Sequence, residues 1–194
     1  MRIILASKSP RRSELLKSIG LDFEVLADGS VDEQAMLDGT AAQLEHRLEQ
    51  LALAKGREVS RQHGEAIVIS ADTVVVLGDL VLGKPAGERD ATRMLGLLSG
   101  RTHRVMTAVA VQRTASGRSM TATATTEVTF RELSEASIAA YVRREHTQDK
   151  AGAYAIQGMG ALLVDRIRGE YTTVVGLPLG TTCKLLKEFG VSLL

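Results

Sequence analysis

Cysteine is almost absent. Cys183 stands alone, so neither an internal disulfide nor a cysteine metal cluster can form, which fits a reducing compartment. Tryptophan is missing and aromatics are only 3% of residues, which removes the stacking platforms of a general nucleic-acid binder. Charge of one sign is lacking too: a net charge of +1 leaves no basic footprint for a polynucleotide backbone. No apolar run approaches the ~18 residues of a membrane span. The opening Ile3-Ile4-Leu5-Ala6 run is too short for a signal peptide. The expectation is a cytoplasmic protein that engages neither membrane nor nucleic acid. Internal repeats, low-complexity linkers and a P-loop are absent as well, and Gly158-Met-Gly160 lacks the third glycine of a dinucleotide fingerprint.

What is present is an ordinary folding composition, 44% hydrophobic and 24% charged over 194 residues. That is enough for one full-sized domain, or at most two small lobes around a cleft; the expectation is a single domain over residues 1–194.

The chain is organised around Ala66 to Leu77. Ile67, Val68 and Ile69 form one continuous apolar run and Val74 to Leu77 a second, each the pattern of a strand buried on both faces. Asp72 sits between them. A carboxylate there needs hydrogen bonds, a metal or a reacting group, unless it simply caps a turn at a strand end. Gly78-Asp79 predicts a two-residue hairpin turn that folds Leu80 to Leu82 back antiparallel and carries Lys84 towards the Asp72 end.

Arg2 to Ser7 predicts a short strand, and Ser9-Pro10 an N-cap with proline at the first helical position. Leu15, Leu16 and Ile19 face inward and Gly20 ends the helix. Arg11 and Arg12 occupy the first turn, where the helix dipole disfavours cations by ~0.3–1 kcal/mol each. Either they are a solvated pair at a surface helix end, or something anionic removes the conflict, a phosphate approached by Ser7, Lys8 and Ser9. Phe23 to Leu26 suggests a strand, and Asp32-Glu33 falls in an irregular stretch that reads as a solvated loop. Thr40 to Gln43 matches a capping box for a helix to about His63, with Leu44, Leu48 and Leu51 inward. Lys55 lies at the edge of that stripe, where a snorkelling lysine is the common outcome.

Ala91, Met94, Leu95 and Leu98 have helical spacing, with Ser99-Gly100 as the stop. His103 to Gln112 and Thr121 to Phe130 read as strands joined through Ala115 to Arg118. Ser134 caps a helix carrying Ile138, Tyr141 and Val142, with His146 just past it as a C-terminal cap. The small residues of Asp149 to Gly160 can let backbone approach a ligand. Leu162 to Ile167 and Thr172 to Val175 read as strands paired across Arg168-Gly-Glu170, and Gly176 to Leu179 opens a closing helix.

In this order Leu5-Ala-Ser-Lys-Ser-Pro-Arg-Arg12, Val31-Asp-Glu33, Ala54-Lys55, Ala71-Asp-Thr73, Gly83-Lys-Pro85, Asp149-Lys-Ala-Gly-Ala-Tyr154, Ile156-Gln-Gly158 and Val174-Val-Gly-Leu-Pro-Leu179 resemble the Maf family of nucleotide pyrophosphatases over nearly the whole chain. The resemblance implies an α/β fold of the Maf and ITPase-like kind: an elongated mixed β-sheet flanked by helices, two lobes around a deep cleft, and a homodimer. It implies hydrolysis of nucleoside triphosphates between the α and β phosphates with a divalent metal; Mg²⁺, which takes one or two carboxylates plus substrate phosphates, is the expected ion, with Mn²⁺ second. Carried over by position, Ser7, Arg11, Arg12, Lys55 and Lys84 match the phosphate side. Glu33 and Asp72 match the acidic, metal-holding centre, with Asp72 as proton acceptor and Lys84 beside them in the catalytic set. The chain departs from the family pattern at Ser70, Ala108, Ala155 and Thr173, none of which removes a charged group.

Arg11, Thr73 and Gln157 match the branch acting on dTTP, UTP and modified pyrimidine nucleotides, where a neutral amide suits a pyrimidine edge. This implies a role in nucleotide-pool sanitation. The alternatives are a 7-methyl-GTP pyrophosphatase, a nucleotide-binding regulator of cell division that acts through a partner, and a triphosphatase releasing the terminal phosphate, which the missing P-loop disfavours.

Overall fold

The computed structural model describes residues 1–26 and 43–193. Glu33 and most of the Thr40 to Gln43 capping box therefore lie outside the described residues. The described strands are β1 (Ile3–Leu5), β2 (Glu24–Val25), β3 (Ile67–Leu77), β4 (Leu80–Leu82), β5 (Thr102–Arg113), β6 (Arg118–Phe130) and β7 (Val164–Arg168). The described helices are α1 (Pro10–Ser18), α2 (Leu44–Gln62), α3 (Glu88–Leu98), α4 (Glu135–Arg144), α5 (Tyr171–Val175) and α6 (Leu179–Glu188). The strands form a mixed seven-stranded sheet in the order β2-β1-β3-β5-β6-β7, with β4 on β3. β1 pairs parallel with β2 and β3, while β3–β4 and β6–β7 are antiparallel. This is the α/β class, a mixed sheet flanked by helices.

Two compact units divide the chain: Met1–Asp72, Thr107–Ala124 and Gly176–Leu194 make the first, Thr73–Met106 and Thr125–Val175 the second. In unit one the sheet is covered on both faces, which is why its strands read as unbroken apolar runs. Ile3, Leu5, Ile67, Ile69 and Ala71 pack with Leu16 of α1 and Leu185 and Leu186 of α6. Ile4 and Val68 point the other way, onto Val59 of α2. Leu44, Leu48 and Leu51 of α2 are buried, as their spacing predicts.

Unit two builds its core from Val75 and Leu82 of the β3–β4 hairpin, Ala91, Met94, Leu95 and Leu98 of α3, and Ile138, Tyr141 and Val142 of α4. The hairpin has the predicted two-residue turn, with Leu77 opposite Leu80 and Gly78 at φ +61°. Ser134 caps α4 by accepting from the Ser137 N–H at 3.2 Å.

Three expectations are corrected. The runs on either side of Asp72 are one continuous strand, because Ser70, Ala71 and Asp72 keep extended backbone through the buried sheet. Leu162 is not in a strand; Gly158–Leu162 is a short 3₁₀ segment that leaves Leu162 70% exposed, and β7 starts at Val164. Thr172 to Val175 is helical. After β7 the chain turns at Gly169, φ +132°, and the Glu170 carbonyl accepts from Thr126 Oγ1 at 2.8 Å and from the Thr173 N–H at 3.2 Å. Strand preference of β-branched residues is worth only ~1 kcal/mol and tertiary context overrides it. The small residues after Lys150 also serve packing: a Cβ on Gly152 would meet the Val75 side chain, and one on Gly160 would collide with the Ala155 carbonyl.

Candidate active site

The β1–α1 loop and the first turn of α1 hold the first group. Ser9 is the N-cap residue and Pro10 follows, yet the Ser9 side chain makes no capping bond. The buried Ser7 hydroxyl accepts instead from the Ser9 N–H and from Arg12 Nη1, both at 3.2 Å. Arg12 Nε donates to the Gly176 carbonyl at 2.8 Å, so the chain's own dipoles already answer part of the conflict between a cation and the positive end of α1. Gly176 sits at φ +119°, a conformation that favours glycine. Arg11 is half-buried in the same turn. Ser7 and Arg12 are thus brought together, with Arg11 adjacent.

Asp72 ends unit one's share of β3 and is 6% exposed. Alternation along β3 sends Ile67, Ile69 and Ala71 to the α1–α6 face and residues 68, 70 and 72 to the α2 face. α2 runs over that face and delivers Lys55, whose Nζ donates to Asp72 Oδ1. Their side chains are 16% and 9% exposed. Two charges this shielded compensate one another's loss of hydration, and losing either would strand the other. The cation on Asp72 is therefore Lys55, a residue that by local pattern alone is a snorkelling lysine.

Unit two carries Thr73, Lys84 and Gln157. Thr73 follows Asp72 on β3 with its side chain on the opposite face. Lys84 is exposed, two residues beyond the last β3–β4 pair, Val75 with Leu82. Gln157 is exposed on a groove of about 550 Å³ lined also by Ile156, Val164, Arg166, Ile167 and Tyr171, within the size range of small-molecule sites. Among the described residues no three His, Cys, Asp or Glu side chains group to hold a metal.

Local pattern missed two buried polar arrangements. Lys150 is 8% exposed, and its ammonium donates to Asp149 Oδ1 at 2.7 Å and to the His146 carbonyl. His146 thus serves through its backbone. His103 is 2% exposed, meets Phe130 and Tyr154 edge-on, and shares a 2.8 Å hydrogen bond between Nε2 and the Tyr154 hydroxyl. Burial lowers the His103 pKa to about 4 and pushes the Tyr154 phenol up. A histidine opening an apolar strand was the available signal for the second arrangement. Nothing local marked the first beyond the motif itself.

The sequence model of the family described as Maf-like protein matches residues 2–189. A dTTP/UTP pyrophosphatase of Acetivibrio thermocellus is 48% identical over 201 residues, covering 100% of this chain and 98% of that one. Proteins of the same name from Symbiobacterium thermophilum and Deinococcus radiodurans are 48% and 44% identical, covering 97% and 98% of this chain and 94% of each relative. Among solved structures, the Staphylococcus aureus Ham1 protein superposes with a TM-score of 0.46 at 15% identity, over 67% of this chain and 72% of that chain; so slight a likeness carries no weight.

Proposed function

The chain belongs to the Maf-like family, and from that premise we propose that it hydrolyses dTTP, UTP and modified pyrimidine nucleoside triphosphates to the monophosphate and pyrophosphate. Relatives that match end to end at 44–48% identity carry the name dTTP/UTP pyrophosphatase, which supports the substrate class. The observation that carries the chemistry is the shielded Asp72 carboxylate held by Lys55: a buried acidic group of this kind suits a general base whose surroundings keep it aimed.

In this reading water attacks the α phosphorus, the bond from that phosphorus to the αβ-bridging oxygen breaks, and pyrophosphate leaves with that oxygen. Asp72 orients the water and accepts its proton. Arg11, Arg12, Lys55 and Lys84 offset the negative charge of the triphosphate, and the Ser7 hydroxyl, which already bonds Arg12, steadies the guanidinium. Gln157 reads the pyrimidine edge from its groove, with Thr73 in support.

The donor set fits a divalent cation that arrives with substrate. Lys55 engages one oxygen of Asp72, and Mg²⁺ commonly takes one or two carboxylates plus substrate phosphates. Asp72 and Glu33 would hold it, Mg²⁺ ahead of Mn²⁺. When bound, such an ion supplies Lewis-acid polarisation of phosphate and water. The same reading includes nucleotide-pool sanitation, a cytoplasmic workplace and a homodimer. Among the described residues no helix is long and apolar enough to cross a membrane. Pyrophosphate release measured across a panel of nucleotides tests the proposal: dTTP and UTP should lead, and a panel without pyrophosphate release would overturn it.

A further inference from the structure

Close to the Lys55–Asp72 contact, α2 is gripped by the sheet a second time. Ser70 Oγ donates to the Ala52 carbonyl at 2.6 Å, and Gln112 Nε2 donates to the Leu53 carbonyl at 2.9 Å. Both carbonyls lie inside a helix whose own ladder uses them, so these are added bonds that draw one turn of α2 down onto β3 and β5. Ser70 is fully buried and Gln112 is 8% exposed. The approach is possible because residue 56 has no Cβ. A Cβ there would stand 2.6 Å from Ser70 Oγ and 2.5 Å from Gln112 Nε2, closer than real Cβ atoms come. Gly56 is not among the glycines with positive φ, so its conformation does not ask for glycine, and in a helix interior glycine is less favourable than alanine. The close contact accounts for it.

This grip and the ion pair share one frame. Ser70 and Asp72 are two apart on β3 and face α2 together, while Ala52 and Lys55 are three apart on α2, one turn along the same side. We propose that Ser70, Gln112 and Gly56 are positioning residues: by fixing the depth and register of α2 over β3, they set where the Lys55 ammonium stands relative to the Asp72 carboxylate. The inference rests on the reading of Lys55 and Asp72 given under Proposed function. None of the three is assigned a contact with reacting atoms; their effect passes through Lys55.

A cycle of Gly56→Ala, Ser70→Gly and the double variant tests this. The first pushes a methyl group into the Ser70 hydroxyl and lifts α2. The second removes the bond to Ala52 and leaves a gap. The double variant relieves the clash with Ser70 but still lacks the bond to Ala52, and the added methyl still crowds Gln112 Nε2. Two readouts are taken beside the melting temperature: the rate of Lys55 acylation by an amine reagent, followed by peptide mass spectrometry, and kcat and KM for dTTP. Each single variant should acylate faster at Lys55 and lose about ten- to a hundredfold in kcat, the scale of a small misplacement at a reacting centre. KM should change little, because the charges in the site are the same. The double variant should fall no further than the worse single variant, because both changes act on the same contact. Single variants that melt earlier but keep the parental kcat and Lys55 reactivity would reduce the three residues to packing and overturn the proposal, as would losses that simply add in the double variant. Should Gly56→Ala not fold, Gln112→Met removes one donor at similar volume and is read the same way. If the parent enzyme hydrolyses no nucleotide, the functional reading fails by itself, and the acylation arm still decides whether these residues place Lys55.

Discussion

Lys55 reaches Asp72 across 17 residues of sequence, from the middle of a helix to the last residue of unit one on β3. Each side chain is sheltered from solvent, so the two are read as one electrostatic unit: the lysine compensates the buried carboxylate, and the carboxylate keeps the lysine at the sheet.

Asp72→Asn should lower turnover by about 10²- to 10⁴-fold, the usual contribution of a positioned base, while nucleotide still binds. The amide oxygen can accept from Lys55, so the loss of stability should stay below the ~3–5 kcal/mol of a broken buried pair. Steady-state pyrophosphate release, nucleotide titration and a thermal melt check the three parts. Near-parental turnover would remove Asp72 from the mechanism.

Lys55→Met keeps the stem and deletes the charge, leaving Asp72 without its ammonium. Stability should fall by about 3–5 kcal/mol, read as a lower urea midpoint at unchanged slope, and activity should fall with it. An unchanged midpoint would mean that solvent screens the pair.

Products should be nucleoside monophosphate and pyrophosphate in equal amounts, and a chelator should abolish turnover until Mg²⁺ is restored. Quantifying both products by ion-exchange chromatography, without added pyrophosphatase, checks this. Orthophosphate and a nucleoside diphosphate in equal amounts would point to the other phosphoanhydride bond.

Gln157→Glu should shift preference away from dTTP and UTP and towards a 7-methylated guanine nucleotide, because a carboxylate accepts from a donor edge or pairs with a cationic base. The parent should prefer the pyrimidines in kcat/KM, by as much as several orders of magnitude if the wrong base leaves buried polar groups unpaired. A preference unmoved by the substitution would take base reading away from Gln157.

His103 makes the fold acid-sensitive. Its pKa falls from 6.5 when unfolded to about 4 in the folded core, so between those values the unfolded chain binds the proton more readily. The stability tied to neutral His103 is complete above pH 6.5 and is lost as pH drops towards 4, about 3 kcal/mol in all. Denaturation midpoints at pH 7 and 4.5 should differ accordingly, and His103→Gln should flatten the difference.

Sequence alone was enough wherever a feature depends on neighbours along the chain. Gly78-Asp79 between apolar runs and Ser134 ahead of α4 meet their partners within a few residues, and Leu44, Leu48 and Leu51 share one helix face by spacing alone, so local periodicity and turn chemistry determine them. The motif order was likewise sufficient for the family. Thr172 to Val175 shows the limit: its β-branched residues read as a strand, yet the turn at Gly169 and the bonds converging on Glu170 make it a helix. The partner of Asp72 was decided only in three dimensions, because a lysine at the edge of a helical stripe reads the same whether it snorkels or meets a carboxylate. Ser70 was marked only as a departure from the family pattern, and Gln112 and Gly56 left no local trace. Their relationship exists only where β3, β5 and α2 stack, and contacts between segments far apart in the chain depend on how layers pack, which no short window of sequence contains.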